Sequence, residues 1–256
     1  MNDRLTGKKG LVIGIANENS IAYGCAKAFC NDGAKLAVTY LNEKAEKYVR
    51  PLAEGLDAPI VVPCNVQNDG ELEAVFNTIS ETWGALDFLV HSIAFAPLSD
   101  LHGRLTDCSL EGFLQAMDVS CHSLLRMTRL AEPLMKNGGS ILSMSYFGAE
   151  KVVKNYGVMG PAKAALECSS RYLAAELADA RIRVNCLSPG PLRTRAASGL
   201  KDFDDLIQAA ESRVAHYSTI TSADVGALAA FLVSDDAKAL SGYVYHVDGG
   251  FSSIGV

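Results

Sequence analysis

Two phenols and an ammonium stand out in the stretch SYFGAEKVVKNYGVMGPAK, residues 145–163: Tyr146, Tyr156 and Lys163. If the helical pattern seen over 155–179 is continuous, the seven steps from Tyr156 to Lys163 turn about 700°. Both side chains then face the same way, about 10 Å apart along the axis. A phenol of ordinary pKa, about 10, is neutral at pH 7 and can donate a hydrogen bond to a developing oxyanion. A lysine can hold ribose hydroxyls and lend positive charge to the site. Taken alone, the same residues also fit half-buried packing tyrosines and a solvated lysine.

The elements around these groups decide where they sit. Short apolar runs rich in Val, Ile and Leu read as buried strands at 10–15, 35–40, 59–64, 86–92, 140–145, 182–188 and 242–248. Helical candidates lie between them, near 20–32, 43–55, 69–82, 109–136, 155–179 and 223–234. Gly33 is placed to end the first helix at C′. This order implies an α/β fold, a single doubly wound Rossmann-type domain over 1–256 with a seven-stranded parallel sheet and helices on both faces. Ligands of such sheets bind at the carboxyl ends of the strands, where Tyr146 falls. The irregular connection at 190–222 reads as a substrate-binding lid.

The stretch VIGIANENSIAYG, 12–24, follows the first apolar run but lacks the G-x-G-x-x-G spacing of a dinucleotide loop. Gly14 allows a tight turn, Ser20 is expected to cap the helix, and Ala22 and Gly24 permit close packing of helix on strand. The loop by itself fits a pyrophosphate turn and an ordinary β–α turn equally well. The second strand ends in Thr39-Tyr40-Leu41, without the acid that holds an NAD ribose or an arginine for NADP, so cofactor choice stays open here.

Composition removes several function classes. The chain has 256 residues, 49% of them hydrophobic, and a formal net charge of −6. That is enough to bury a full core, and it disfavours unspecific nucleic-acid binding. Seven scattered cysteines without a C-x-x-C pair argue against a disulfide scaffold or thiolate zinc site and for a reducing compartment. The five histidines (91, 102, 122, 216 and 246) have no metal-ligand spacing; His91 and His246 are expected to be satisfied core residues. With no apolar run long enough for a membrane helix, the chain reads as soluble and cytoplasmic.

Several motifs, in order along essentially the whole chain, carry a resemblance. Gly14 to Ile21 has the form Gly-x5-Ser-Ile; HSIAFAP (91–97), SYFGAE (145–150), NYGVMGPAKAAL (155–166), RVNCLSPGPLRTRAASG (183–199) and VDGGF (247–251) follow. Together with Tyr-x6-Lys, they resemble the enoyl-acyl-carrier-protein reductases of bacterial fatty acid synthesis, a divergent branch of the short-chain dehydrogenase/reductases. The ordinary member of that superfamily has Tyr-x-x-x-Lys, which would put the tyrosine at 159, where this chain has Met159.

The resemblance implies reduction of the C2–C3 double bond of a trans-2-enoyl thioester by hydride from NADH, with NADPH possible, as the last step of the elongation cycle. It implies Tyr156 as hydrogen-bond donor to the thioester oxygen, Lys163 as ligand of the nicotinamide ribose, and Tyr146 in substrate ordering or a proton path. Cofactor contacts are implied at Gly14, Ser20, Ile21, Leu41, Asn65, Val66, Ile93, Leu192, Arg193, Thr194, Arg195 and Ala196. Substrate contacts fall at Ala96, Tyr156 and Met159. The implied partner is an acyl carrier protein bearing the enoyl chain, and the implied assembly a homotetramer. Leu41 and Asn65 depart from the polar residue and aspartate common in the family. Asp204 and Asp205 stand where basic residues are usual; they imply weaker carrier docking, or docking through Arg193, Arg195 and Lys201. Two alternatives remain: a 3-oxoacyl or hydroxyacyl dehydrogenase of the same fold, and a nucleotide-binding paralogue without turnover.

Overall fold

A computed structural model of the chain describes residues 3–194, 207–208 and 220–254. All seven expected strands form: β1 (Lys9–Ile13), β2 (Lys35–Tyr40), β3 (Ile60–Pro63), β4 (Phe88–His91), β5 (Gly139–Met144), β6 (Ile182–Pro189) and β7 (Val244–Val247). They make one sheet in the order β3-β2-β1-β4-β5-β6-β7, with every pairing parallel. The order reverses between β1 and β4, and Ile13 pairs with His91, so the two strands end level. That reversal opens a crevice outside their carboxyl ends.

Alternation along the strands sends side chains to two cores. Val12, Val38, Val90 and Leu142 face Phe29 of α1 (Ile21–Asn31), Val49 of α2 (Glu43–Glu54) and Val225 of α8 (Ser222–Val233). Leu11, Ile13, Leu89 and Ile141 face Phe76 of α3 (Glu71–Trp83), Leu124 of α6 (Ser123–Ala131) and Leu166 of α7 (Met159–Glu176). Each such buried side chain contributes roughly 1.5–3 kcal/mol, which is why both faces of the strands are apolar. Two shorter helices, α4 (Leu98–Leu101) and α5 (Leu110–Met117), lie between β4 and α6. Gly33, with φ 93°, lies just past the Asp32 cap of α1, as its left-handed geometry requires.

Four expectations are corrected. The helix expected over 109–136 is α5, a π turn at Asp118–His122, then α6 and a short 3-10 turn. The π turn is held by side-chain chemistry that periodicity does not see: the Phe95 N–H donates to Ser120 Oγ at 3.0 Å, and Ser123 Oγ lies 2.8 Å from His91 Nε2. Helix α7 starts at Met159 rather than 155, because Asn155 and Gly157 are left-handed, with φ 62° and 49°. Gly24 packs on a helix and not on a strand: a Cβ there would sit 2.4 Å from Ser222 O, and one on Gly226 2.5 Å from Gly24 O. His246 is half-buried at the surface, 3.1 Å from Glu150 Oε1, whereas His91 is the satisfied core residue expected, bonded also to Ser143.

All seven cysteines are free thiols. Among the described residues, no helix is long and apolar enough to cross a membrane, and no cluster of ligating side chains could hold a metal ion.

Candidate active site

The crevice is a cavity of about 620 Å³ whose lining is mostly apolar. Its walls come from the ends of four elements: Ile21 opening α1, Ser92–Ala96 after β4, Met144–Tyr146 after β5, and Pro189–Leu192 with Thr194 after β6. Leu98, Leu101, Tyr156, Met159 and Lys163 complete it. Thus the sheet brings together residues up to about 170 positions apart, at the edge where parallel sheets bind ligands.

Lys163 is on the second turn of α7, 5% exposed, and its Nζ donates to Met144 O at 2.6 Å. Burial lowers its pKa from 10.5 to about 8, with Cys186, Glu167 and Cys121 partly offsetting the effect. An ammonium has three donors, so two are left for a ligand in the cavity. Tyr156, 9% exposed, lies in the loop before α7, so the helical-spacing argument for Tyr156 and Lys163 does not hold. The loop brings the two together instead. Its ring rests on Tyr146, centroids 4.9 Å apart, and on the backbone of Gly148, where a Cβ would lie 2.4 Å from a ring carbon. The Tyr156 hydroxyl has no hydrogen-bond partner among the described residues. Burial raises the pKa of both phenols, Tyr146 to about 12, so both are neutral donors at pH 7.

The loop after β1 has the geometry of an anion site. Gly14, with φ 115°, passes so close to β4 that a Cβ would sit 2.0 Å from Ser92 O. Ser20 occupies the N-cap position of α1 but makes no side-chain cap bond, contrary to expectation. Its hydroxyl turns back and accepts from Ala16 N at 3.0 Å and Asn17 N at 3.1 Å. The hydroxyl therefore shapes the loop and leaves first-turn amides of α1 for an anion. This donor set suits a dinucleotide: helix amides for a pyrophosphate, a buried ammonium for ribose hydroxyls, and an apolar slot for a ring.

A family model described as enoyl-(acyl carrier protein) reductase matches residues 14–252. The chain belongs to this family. It is 46% identical to the NADH enoyl-acyl-carrier-protein reductase FabI of Nostoc sp., over 98% of this chain and 99% of that protein. Among solved structures, it is similar to the Anaplasma phagocytophilum reductase in complex with NAD, at TM-score 0.94 and 46% identity, covering 98% of this chain and 96% of that one. It is also similar to the Bacillus cereus enoyl-acyl-carrier-protein reductase with NADP+ and an indole naphthyridinone, at TM-score 0.96 and 45% identity, with 99% of each chain covered.

Of the site residues read from the reductase motifs, Ile21, Ile93, Ala96, Tyr146, Tyr156, Met159, Lys163, Leu192 and Thr194 line the cavity. Gly14 and Ser20 shape the adjoining loop. Leu41 is 54% exposed after β2, and Val66 is buried after β3. Asn65 Oδ1 accepts from Gln67 N at 3.1 Å, so its side chain is engaged in a turn. Arg193 is exposed beside Leu192, off the cavity lining. Arg195, Ala196, Lys201, Asp204 and Asp205, and with them most of the 190–222 connection, lie outside the described residues. Sequence reasoning missed Phe95, Leu98 and Leu101 on the cavity wall, and Gly148 under Tyr156. The position of this apolar run around Pro97, just past the end of the fourth strand, is the signal that could have found the first three.

Proposed function

We propose that this chain, acting as one domain, reduces the C2–C3 double bond of a trans-2-enoyl chain carried on an acyl carrier protein, with NADH as reductant. The observation that carries the assignment of roles is the unpartnered Tyr156 hydroxyl facing an apolar cavity beside the buried Lys163 ammonium. Bound NADH supplies the hydride that reaches C3. Negative charge then gathers on the thioester oxygen, where Tyr156 donates its hydrogen bond in a site of low dielectric. Lys163 holds the nicotinamide ribose and adds positive charge near the same oxygen. Tyr146 fixes the Tyr156 ring from one side and Gly148 from the other.

The remaining contacts are assigned from the family resemblance. The amides at the start of α1, with Gly14, Ser20 and Ile21, take the pyrophosphate together with Thr194, and the family resemblance adds Arg193, Arg195 and Ala196 as cofactor contacts. Leu192 offers its backbone to the carboxamide. Leu41, Asn65, Val66 and Ile93 frame the adenosine. Leu41 gives a 2′-phosphate no charge to meet, which supports NADH over NADPH. Ala96 and Met159 flank the acyl chain. The family context supports a homotetramer acting in the cytoplasm.

The test follows nicotinamide absorbance with NADH and then NADPH, offering a trans-2-enoyl thioester and, separately, a 3-oxoacyl thioester. Oxidation with the enoyl substrate alone is expected. Binding of NADH without oxidation on either substrate would replace this reading with that of a paralogue without turnover.

A further inference from the structure

Reduction of a double bond by hydride takes up one proton per turnover, and this cavity is walled mainly by apolar groups. Polar groups gather beside one point of that wall, at Ser145. Ser145, on the cavity wall after β5, donates its hydroxyl to the Glu167 carboxylate. Its own N–H is tied to Leu187 O at 2.7 Å, which fixes the residue. Glu167 lies one turn beyond Lys163 on α7 and is 6% exposed. Its charge acts on Tyr156 and Lys163 of the cavity wall and on buried Cys186, and Glu150, His246 and Arg171 act on it in turn. Of these, Glu150 and Arg171 are exposed and His246 is half-buried, with Nε2 3.1 Å from Glu150 Oε1. His246 Nδ1 is buried without a hydrogen-bond partner, 3.8 Å from Asp248 Oδ2.

We propose that Glu167 relays protons from the His246–Glu150 pair to Ser145, returning to the site the proton that each turnover takes up. The proposal rests on the reductase reading above. A proton from solvent enters at His246 and passes to the Glu167 carboxylate. The resulting acid gives it to Ser145 Oγ, while the Ser145 hydroxyl proton moves on through cavity water to C2 of the enolate whose oxygen Tyr156 holds. One proton enters, one C–H bond forms at C2, and no electron travels along the relay. Burial holds Glu167 above the ordinary carboxylate range against the pull of the Ser145 bond, as suits a group that must both take and give a proton.

The competing role is a tie between the end of β5 and α7, and Glu167→Gln separates the two. The amide keeps the shape and still accepts from Ser145, but cannot carry a proton. With NADH and a trans-2-enoyl thioester, E167Q is expected to lose about tenfold or more in kcat. Its KM, NADH affinity and thermal midpoint should stay as in wild type, and its solvent deuterium isotope effect should rise. Ser145→Ala should give the same pattern, and it carries the test if E167Q does not fold. Variants with unchanged kcat and isotope effect, or with kcat and KM shifted together at an unchanged isotope effect, overturn the relay while leaving the reductase reading intact. An inactive wild type overturns that reading, and the relay with it.

Discussion

Replacing Lys163 by methionine should make the ligand-free protein more stable at pH 7 while weakening its hold on NADH. The ammonium is 5% exposed, and burial moves its pKa from 10.5 to about 8. That displacement corresponds to about 3 kcal/mol against the charged form in the folded state. Lys163→Met removes this cost and also removes the 2.6 Å bond to Met144 O, worth about 1 kcal/mol. The net gain expected at pH 7 is about 2 kcal/mol. Its pH dependence has a definite sign. Between about 8 and 10.5 the unfolded chain keeps the lysine proton that the folded chain has released, so wild-type stability rises with pH across that window. The variant has no such group, and its advantage should shrink and then reverse by about 1 kcal/mol above the window. Urea unfolding of both proteins from pH 7 to 11 measures the difference, with titrations common to both cancelling. A variant less stable than wild type at pH 7, or a gap that stays flat with pH, refutes the reasoning.

Tyr156→Phe keeps the ring on Tyr146 and Gly148 but deletes the donor; kcat should fall about 10²–10³-fold with NADH affinity unchanged, and a loss below threefold in steady-state assays would reassign the donor. Gly148→Ala puts a Cβ 2.4 Å from the Tyr156 ring. A resulting shift of about 1 Å in the phenol should cost about 100-fold in kcat with the fold retained, and wild-type turnover would show that the loop adapts. Gly14→Ala meets both a φ of 115° and Ser92 O at 2.0 Å. Urea unfolding should show a loss of about 3 kcal/mol or more, and a loss under about 1 would mean that the β1 turn yields.

The strands were legible because burial on both faces leaves a continuous apolar run, and each run became a strand of the parallel sheet. Helix ends were less so. Asn155 and Gly157 sit inside an apolar pattern that continues through the catalytic segment, and nothing in periodicity reports that their backbone is left-handed. Ser20 has the residue type and position of a cap, yet its hydroxyl serves Ala16 and Asn17, since a loop of that shape has amides of its own to satisfy. Phe95, Leu98 and Leu101 look like core in a sequence, because an apolar binding wall and an apolar core use the same side chains. Tyr146 and Lys163 were found through the Tyr-x6-Lys spacing and the motifs around it, since a lone lysine in a helix reads as a solvated face. Glu167 went unnoticed because no such spacing marks it: a glutamate in a helix reads as a solvated face until the fold buries it.

The displaced tyrosine ties this local backbone to the chemistry. Lys163 is fixed by α7 and by Met144 O, so in the function proposed above it marks the ribose position whatever the substrate. When a carbonyl is reduced, the oxygen that becomes charged is bonded to the carbon that receives hydride, and a donor on the helix, one turn before the lysine, stands beside it. When an enoyl thioester is reduced, hydride reaches C3 and the charge appears on an oxygen attached to C1. The donor must therefore stand farther along the substrate. In this chain the helical position one turn before Lys163 holds Met159, an apolar wall of the cavity. The phenol instead comes from the loop ahead of the helix, where Tyr146 and Gly148 replace the helix as its support. The left-handed backbone at 155 and 157 lets the chain leave the helical path at that point. The three extra residues between tyrosine and lysine thus follow from where the charge develops.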